Sequence, residues 1–185
     1  MTADRAKLIA GANRIEGTGG TLLWDALKFT LDNVMGPRAL GRRRAIVLMT
    51  DGVDNALGGG GSGSAISFAD LLEAVRKNDE LLIPIYLDTE SDHDFLSSFG
   101  RRTYENARKT LALLAQESGG LYYTARKIED LNGVYDQVIN DLGKVYSLGY
   151  KPTNEKRDGS WRRVQIQIPN RADLSARSRP GYYAN

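Results

Sequence analysis

Few residues in this chain have the type and spacing to do chemistry, and the first of them is Asp51. It follows an apolar run, Ala45-Ile46-Val47-Leu48-Met49, and sits in the sequence Thr50-Asp51-Gly52-Val53-Asp54-Asn55. The run is too short for a helix and has no polar stripe, so it reads as a strand buried on both faces. Asp51 either caps the turn that ends this strand or works at its carboxyl end, where ligands gather in open α/β sheets. Asp88 stands at the end of a second apolar run, Leu81 to Leu87. Thr21 follows a small-residue loop, Glu16-Gly17-Thr18-Gly19-Gly20, and is placed to cap a helix. The one histidine, His93, lies in the charged stretch Ser91-Asp92-His93-Asp94 and reads as a solvated loop or helix cap.

Enzymatic chemistry finds little support in these residues. A phosphotransferase with an aspartate nucleophile uses an Asp-x-Asp pattern at a strand end, but position 53 is Val. A hydrolytic triad needs a histidine, and only His93 is present. The Gly-rich stretch Gly58 to Ser64 lacks the Gly-Lys-Ser/Thr ending of a phosphate loop and reads as a flexible segment. The absence of cysteine removes disulfides, zinc–thiolate sites and thiol nucleophiles. A net charge of +2 and the lack of basic runs with interleaved aromatics give no footprint for nucleic acid. No apolar stretch reaches the ~18 residues of a membrane span.

The elements that must position these groups follow from hydrophobic period. A short helix around Ala6, Leu8 and Ile9 ends at Gly11. A second, opened by Thr21, carries Leu23, Leu27, Thr30, Leu31 and Val34 on one face, has Asp25 near the positive end of its dipole and stops at Gly36-Pro37. Ser67 with Asp70 forms a capping-box pattern for a helix with Leu71, Leu72 and Val75 inward, ending near Asn78. Leu81 to Leu87 is a second buried strand, in which Pro84 suggests a bulge or an edge. A helix through Tyr104, Ala107, Leu111, Leu114 and Ala115 closes at Gly119-Gly120, and Leu121 to Ala125 is a third strand. A further helix carries Leu131, Val134, Tyr135, Val138, Leu142 and Val145. Strands separated by helices imply a parallel α/β sheet over residues 1–145.

Residues 146–185 change character and read as a small β-rich extension packed on that body. Tyr146 to Tyr150 is strand-like, and Asp158-Gly159 marks a turn. Val164, Ile166 and Ile168 alternate with Arg163, Gln165 and Gln167, as in an antiparallel strand with one wet face. Tyr146, Tyr150, Trp161, Tyr182 and Tyr183 are aromatics that either pack on the body or meet a partner.

Several of these motifs in order resemble the von Willebrand factor type A family. They are Gly19-Gly20-Thr21 followed by Leu23-Trp24-Asp25-Ala26-Leu27, and Thr50-Asp51-Gly52 ending a buried strand. Ser118-Gly119-Gly120, Tyr146-Ser147-Leu148-Gly149-Tyr150-Lys151-Pro152 and Arg179-Pro180-Gly181-Tyr182-Tyr183 are similar to its bacterial branch found in Acidobacteria. The resemblance implies a partial Rossmann-like fold, with parallel strands and helices on both faces. It implies a protein-binding or adhesion-type module that is not an enzyme, in a secreted or cell-envelope setting. In that family an Asp-x-Ser-x-Ser motif, a Thr and an Asp hold one Mg²⁺ (or Mn²⁺), which a partner's acidic residue completes; Thr21 and Asp51 match the last two.

The Asp-x-Ser-x-Ser motif does not occur in these residues. The resemblance therefore implies a chain without the first three strands and the helix between them, most simply a piece of a longer protein, with an incomplete metal site. It also implies that the Ala45–Met49 strand, central in the complete fold, has an exposed edge prone to self-association. The alternative is a structural or assembly module that acts through its β extension without metal.

Overall fold

The computed structural model describes residues 2–16, 20–35, 44–54, 63–88 and 98–184. Its elements in chain order are α1 (Arg5–Ala12), α2 (Leu23–Phe29) with a π-helical turn (Thr30–Val34), β1 (Ala45–Thr50), α3 (Phe68–Lys77), β2 (Leu81–Leu87), α4 (Ser98–Ser118), β3 (Tyr123–Ala125), a 3₁₀ turn (Ile128–Asp130), α5 (Leu131–Leu142), β4 (Trp161–Arg163) and β5 (Gly181–Tyr183). The fold is mixed α/β. Three parallel strands in the order β1-β2-β3 are flanked by helices, and β4 and β5 form a small antiparallel sheet near the C-terminus.

Both faces of β2 are covered. On one, Leu82 and Tyr86 pack with Leu23, Trp24, Leu27 and Leu31 of the α2 region, Leu71, Ala74 and Val75 of α3, and Leu111 and Leu114 of α4. On the other, Ile83 and Ile85 pack with Ala125 and with Val134 and Val138 of α5. The capping box of α3 is present: Ser67 Oγ accepts from the Asp70 N–H, and the Asp70 carboxylate accepts from the Ser67 N–H. Helix α1 buries no residue, and its Leu8 and Ile9 face solvent.

β1 departs from its expected burial. Among the described residues it is the edge of the sheet, with Ile46 and Leu48 against the first core but Val47 and Met49 exposed. A strand buried on both faces and one with a single covered face share the same apolar sequence; what lies beside them decides. Pro84 is likewise not at a bulge or an edge: it pairs with Leu48 inside the central strand. The Leu81 N–H donates to Arg44 O on the β1 side, and the Leu82 N–H to Ser118 Oγ on the other. By alternation, the donor Pro84 lacks would point away from β1, where β3 begins pairing only at Ile85. No ladder bond is lost.

Other boundaries moved. The π turn adds a residue per turn, so Val34 rotates out to solvent while Leu31 stays buried. Gly36-Pro37 lies outside the described residues. β3 is three residues long, α5 ends at Leu142, before Val145, and Tyr135 lies on the exposed side of α5, next to the buried face of Val134 and Val138. Tyr146 to Tyr150 and Val164 to Ile168 are not in strands; the antiparallel pair is shorter, Trp161–Arg163 with Gly181–Tyr183.

The C-terminal sheet sits at the amino ends of the parallel strands. Ser118 Oγ accepts from the N–H groups of Leu82 and Gly120 and donates to Ala115 O, joining the end of α4 to the start of β2. Gly119 takes a positive φ of 78°, and a Cβ there would stand 2.6 Å from the Arg179 backbone nitrogen. The Arg179 guanidinium donates to the carbonyls of Arg76 and Asn78 at the end of α3 and pairs with Asp79. Arg76 pairs with the buried Glu117 at 2.8 Å and lies over the Trp161 ring, 5.6 Å from its centre. The Trp161 and Tyr183 rings meet edge-on at 4.9 Å.

Two measurements check this packing. A Cβ on Gly120 would lie 1.9 Å from Leu82 O, a backbone atom of the central strand, whereas one on Gly133 in α5 meets nothing within 4 Å. Gly120→Ala should therefore cost on the order of 3 kcal/mol or more in urea unfolding, and Gly133→Ala should gain up to about 1 kcal/mol. Burial pushes the Tyr86 hydroxyl up to about 12, against the opposing pull of Arg108. Burial and a 2.6 Å hydrogen bond to Asp141 do the same for Tyr123, also to about 12. The folded state favours both neutral phenols, so their stabilisation is complete below the unfolded value of about 10 and lost as pH rises towards 12. Ultraviolet titration should show these two tyrosines ionising last, together with alkaline unfolding.

Candidate functional site

The carboxyl end of β1 is built around a clasp formed by a buried carboxylate. Asp54 is fully buried; its Oδ2 accepts from the Trp24 N–H at 3.1 Å and from Ser64 Oγ at 2.6 Å, and its Oδ1 from the Ser64 N–H at 3.0 Å. Ser64 Oγ in turn accepts from the N–H groups of Trp24 and Asp25, each at 3.1 Å. Asp25 returns the connection, its carboxylate accepting from the N–H groups of Ala65 and Ile66 at 2.8 and 3.1 Å. The otherwise orphaned donors at the start of α2 are thus satisfied by the segment after β1.

This arrangement corrects the reading of Thr21 as the helix cap. α2 begins at Leu23, its N-cap residue is Leu22, and no side chain of that residue caps it. Asp54 and Ser64, 30 and 40 residues away in sequence from Trp24, do the work instead. Thr21 is exposed, three residues before Trp24; Asp51 is half-buried, three residues before Asp54. The clasp therefore joins the two segments that carry the predicted site residues.

Asp51 itself is lightly used. Its Oδ1 accepts from the Val53 N–H at 3.2 Å, a local turn contact, while Thr50 Oγ1 accepts from the Gly52 N–H at 3.0 Å. Gly52 has a φ of 77°, and a Cβ there would stand 2.9 Å from Leu111 Cδ1, so only glycine lets the turn lie against α4. Asp88 continues β2, its N–H donating to Ala125 O at 2.8 Å. Among the described residues no group of three or more His, Cys, Asp or Glu is placed to hold a metal ion. Gly58 to Ser62 and His93 lie outside the described residues.

Sequence reasoning missed Asp54 and Ser64 as functional to the site. The available signal was a second carboxylate three residues after Asp51, a spacing that lets one face the helix and the other the turn. No family model matches the chain, and no curated protein matches it.

The division of roles has a direct check. Asp54→Ala leaves the α2 donors without their buried acceptor and should cost about 1–3 kcal/mol. Asp51→Asn keeps the shape of a half-buried turn residue and should change stability by less than about 0.5 kcal/mol. Equal losses in chemical denaturation would contradict the assignment.

Proposed function

We propose that this chain is a protein-binding module of the von Willebrand factor type A kind, incomplete in its metal site, with its contact point at the carboxyl end of β1 around Thr21 and Asp51. One observation carries the reading. Asp54, Asp25 and Ser64 are taken up by backbone donors, whereas among the described residues Asp51 makes only its own turn contact. A half-buried carboxylate with so small a structural task, at the ligand-gathering end of a parallel sheet, suits recognition. The module is a binding protein and not an enzyme, consistent with a strand end that lacks an Asp-x-Asp pair.

A divalent ion, Mg²⁺ or Mn²⁺, is the cofactor this reading implies. The donor chemistry fits, because a hydroxyl and a carboxylate are the hard oxygens such ions take. The donor number does not fill a shell: two protein oxygens leave the other positions of a six-oxygen shell to water and to an acidic residue of the partner. The chain's own contribution is to hold Thr21 and Asp51 on the two segments joined by the Asp54 clasp. The bacterial secreted or cell-envelope setting belongs to the same proposal. No helix among the described residues is long and apolar enough to cross a membrane.

A second reading is favoured by the tail. Tyr146, Leu148 and Tyr150 are 85%, 69% and 60% exposed at a spacing of two, one apolar face of an extended segment. Tyr150 meets Tyr182 edge-on at 6.4 Å, tying that face to β5. This favours assembly through the β extension without metal.

Calorimetric titration of Mn²⁺ into the chain and into Asp51→Asn tests the first reading. Weak saturable binding, with a Kd on the order of 10⁻⁴–10⁻³ M, should vanish in the variant at unchanged melting temperature. A folded chain that binds no ion, or a variant that binds equally, would contradict it. Partner binding that survives chelator and is lost in Tyr146→Ser with Leu148→Ser would establish the second.

A further inference from the structure

Where the C-terminal sheet meets the end of α3, the fold leaves a cavity of about 220 Å³ lined by Arg76, Lys77, Asp79, Arg179, Tyr182 and Tyr183. Three cationic side chains there face one carboxylate. No lining residue belongs to β1 or precedes α3, so the cavity does not depend on what lies beside the outer edge of β1.

The negative groups on this side are already spent on Arg179. Its guanidinium pairs with Asp79 and takes the carbonyls of Arg76 and Asn78, the negative end of the α3 dipole. Its Nε is buried without a hydrogen-bond partner, so positive charge at the cavity is not fully met by the protein.

Arg76 and Lys77 are the groups left to meet a ligand. The Arg76 Nε donates to the buried Glu117 at 2.8 Å, and the guanidinium lies over the Trp161 ring, 5.6 Å from its centre. Held from both sides, it keeps its two Nη groups in place, and among the described residues no hydrogen bond engages them. Such a preset fork matches two oxygens of one anion. Lys77 is 60% exposed, and its pair with Glu73 at 2.6 Å is a surface contact one helical turn long, which holds the ammonium only weakly. Neither Glu117 nor Glu73 lines the cavity. The Tyr183 phenol lies near both cations, close enough to act on the charge of each.

We propose that this cavity binds a phosphate group, free or as the end of a small phosphate ester, through the Arg76 fork, the Lys77 ammonium and the Tyr183 hydroxyl. A dianion answers the excess of cations over Asp79, where a carboxylate would leave part of it unmet. The fork, the ammonium and the phenol together call for more than the two oxygens a carboxylate has. The inference does not depend on the metal reading, which concerns the opposite end of the sheet.

Calorimetric titration of potassium phosphate into the full chain tests this, at about pH 8, where phosphate is a dianion, and at an ionic strength held constant with chloride. Saturable binding with a Kd on the order of 1 mM is expected, with amide NMR shifts concentrated at Lys77, Asn78 and Tyr183. Lys77→Gln should raise the Kd at least about fivefold. Lys109→Gln should leave it unchanged, since it removes a matched exposed lysine from an equivalent pair with Glu105 on α4. Glycerol 3-phosphate beside the free ion separates the two sources: tighter binding assigns the ester, and equal or weaker binding the ion itself. No saturable binding, an unaltered Kd in Lys77→Gln, an equal loss in Lys109→Gln, or equal binding of acetate would overturn the proposal.

Discussion

The buried carboxylate of Asp54 is the contact on which the upper end of this molecule depends. A fully buried charge is tolerated only when its lone pairs are taken up, and here one backbone N–H of α2, the Ser64 hydroxyl and the Ser64 N–H take them up. The same contact satisfies the start of a helix that supplies Leu23, Trp24, Leu27 and Leu31 to the main core. Without it, α2 would present unpaired donors inside the protein, and the segments bearing Thr21 and Asp51 would lose their mutual position.

The opposite end of the sheet is closed by a different device. Arg179 binds the last carbonyls of α3, where a cation also suits the helix dipole. Its backbone passes so close to Gly119 that no side chain fits between. Two motifs some sixty residues apart, Ser118-Gly119-Gly120 and Arg179-Pro180-Gly181, are therefore halves of one joint. With the amino ends of the strands occupied by the C-terminal sheet, the carboxyl ends are left for contacts with other proteins, as the proposed function uses them.

Much of this was legible in the sequence because it is local. The capping box of Ser67 and Asp70, the helical spacing through Ala107, Leu111 and Leu114, and the apolar run of β2 all state their role within a few residues. What was not legible depends on neighbours. Ala45 to Met49 gives the same pattern at the centre of a sheet or at its edge. Pro84 is harmless because of the direction in which one donor would point, which only strand pairing determines. The cap of α2 comes from Asp54 and Ser64, and no window around Thr21 contains them. Val164 to Ile168 kept its alternation without a strand, since period two describes an extended segment whether or not a partner pairs with it.

The assignment of Asp54 as the clasp, with Asp51 left to bind, is tested most directly by residue-resolved hydrogen exchange at the Trp24 and Asp25 amides. The account predicts that both exchange slowly, near the rate of the core strands, and that Asp54→Asn raises their exchange by one or more orders of magnitude, whereas Asp51→Asn leaves them unchanged. Fast exchange at these amides in the unmodified chain, or equal sensitivity to both substitutions, would contradict it.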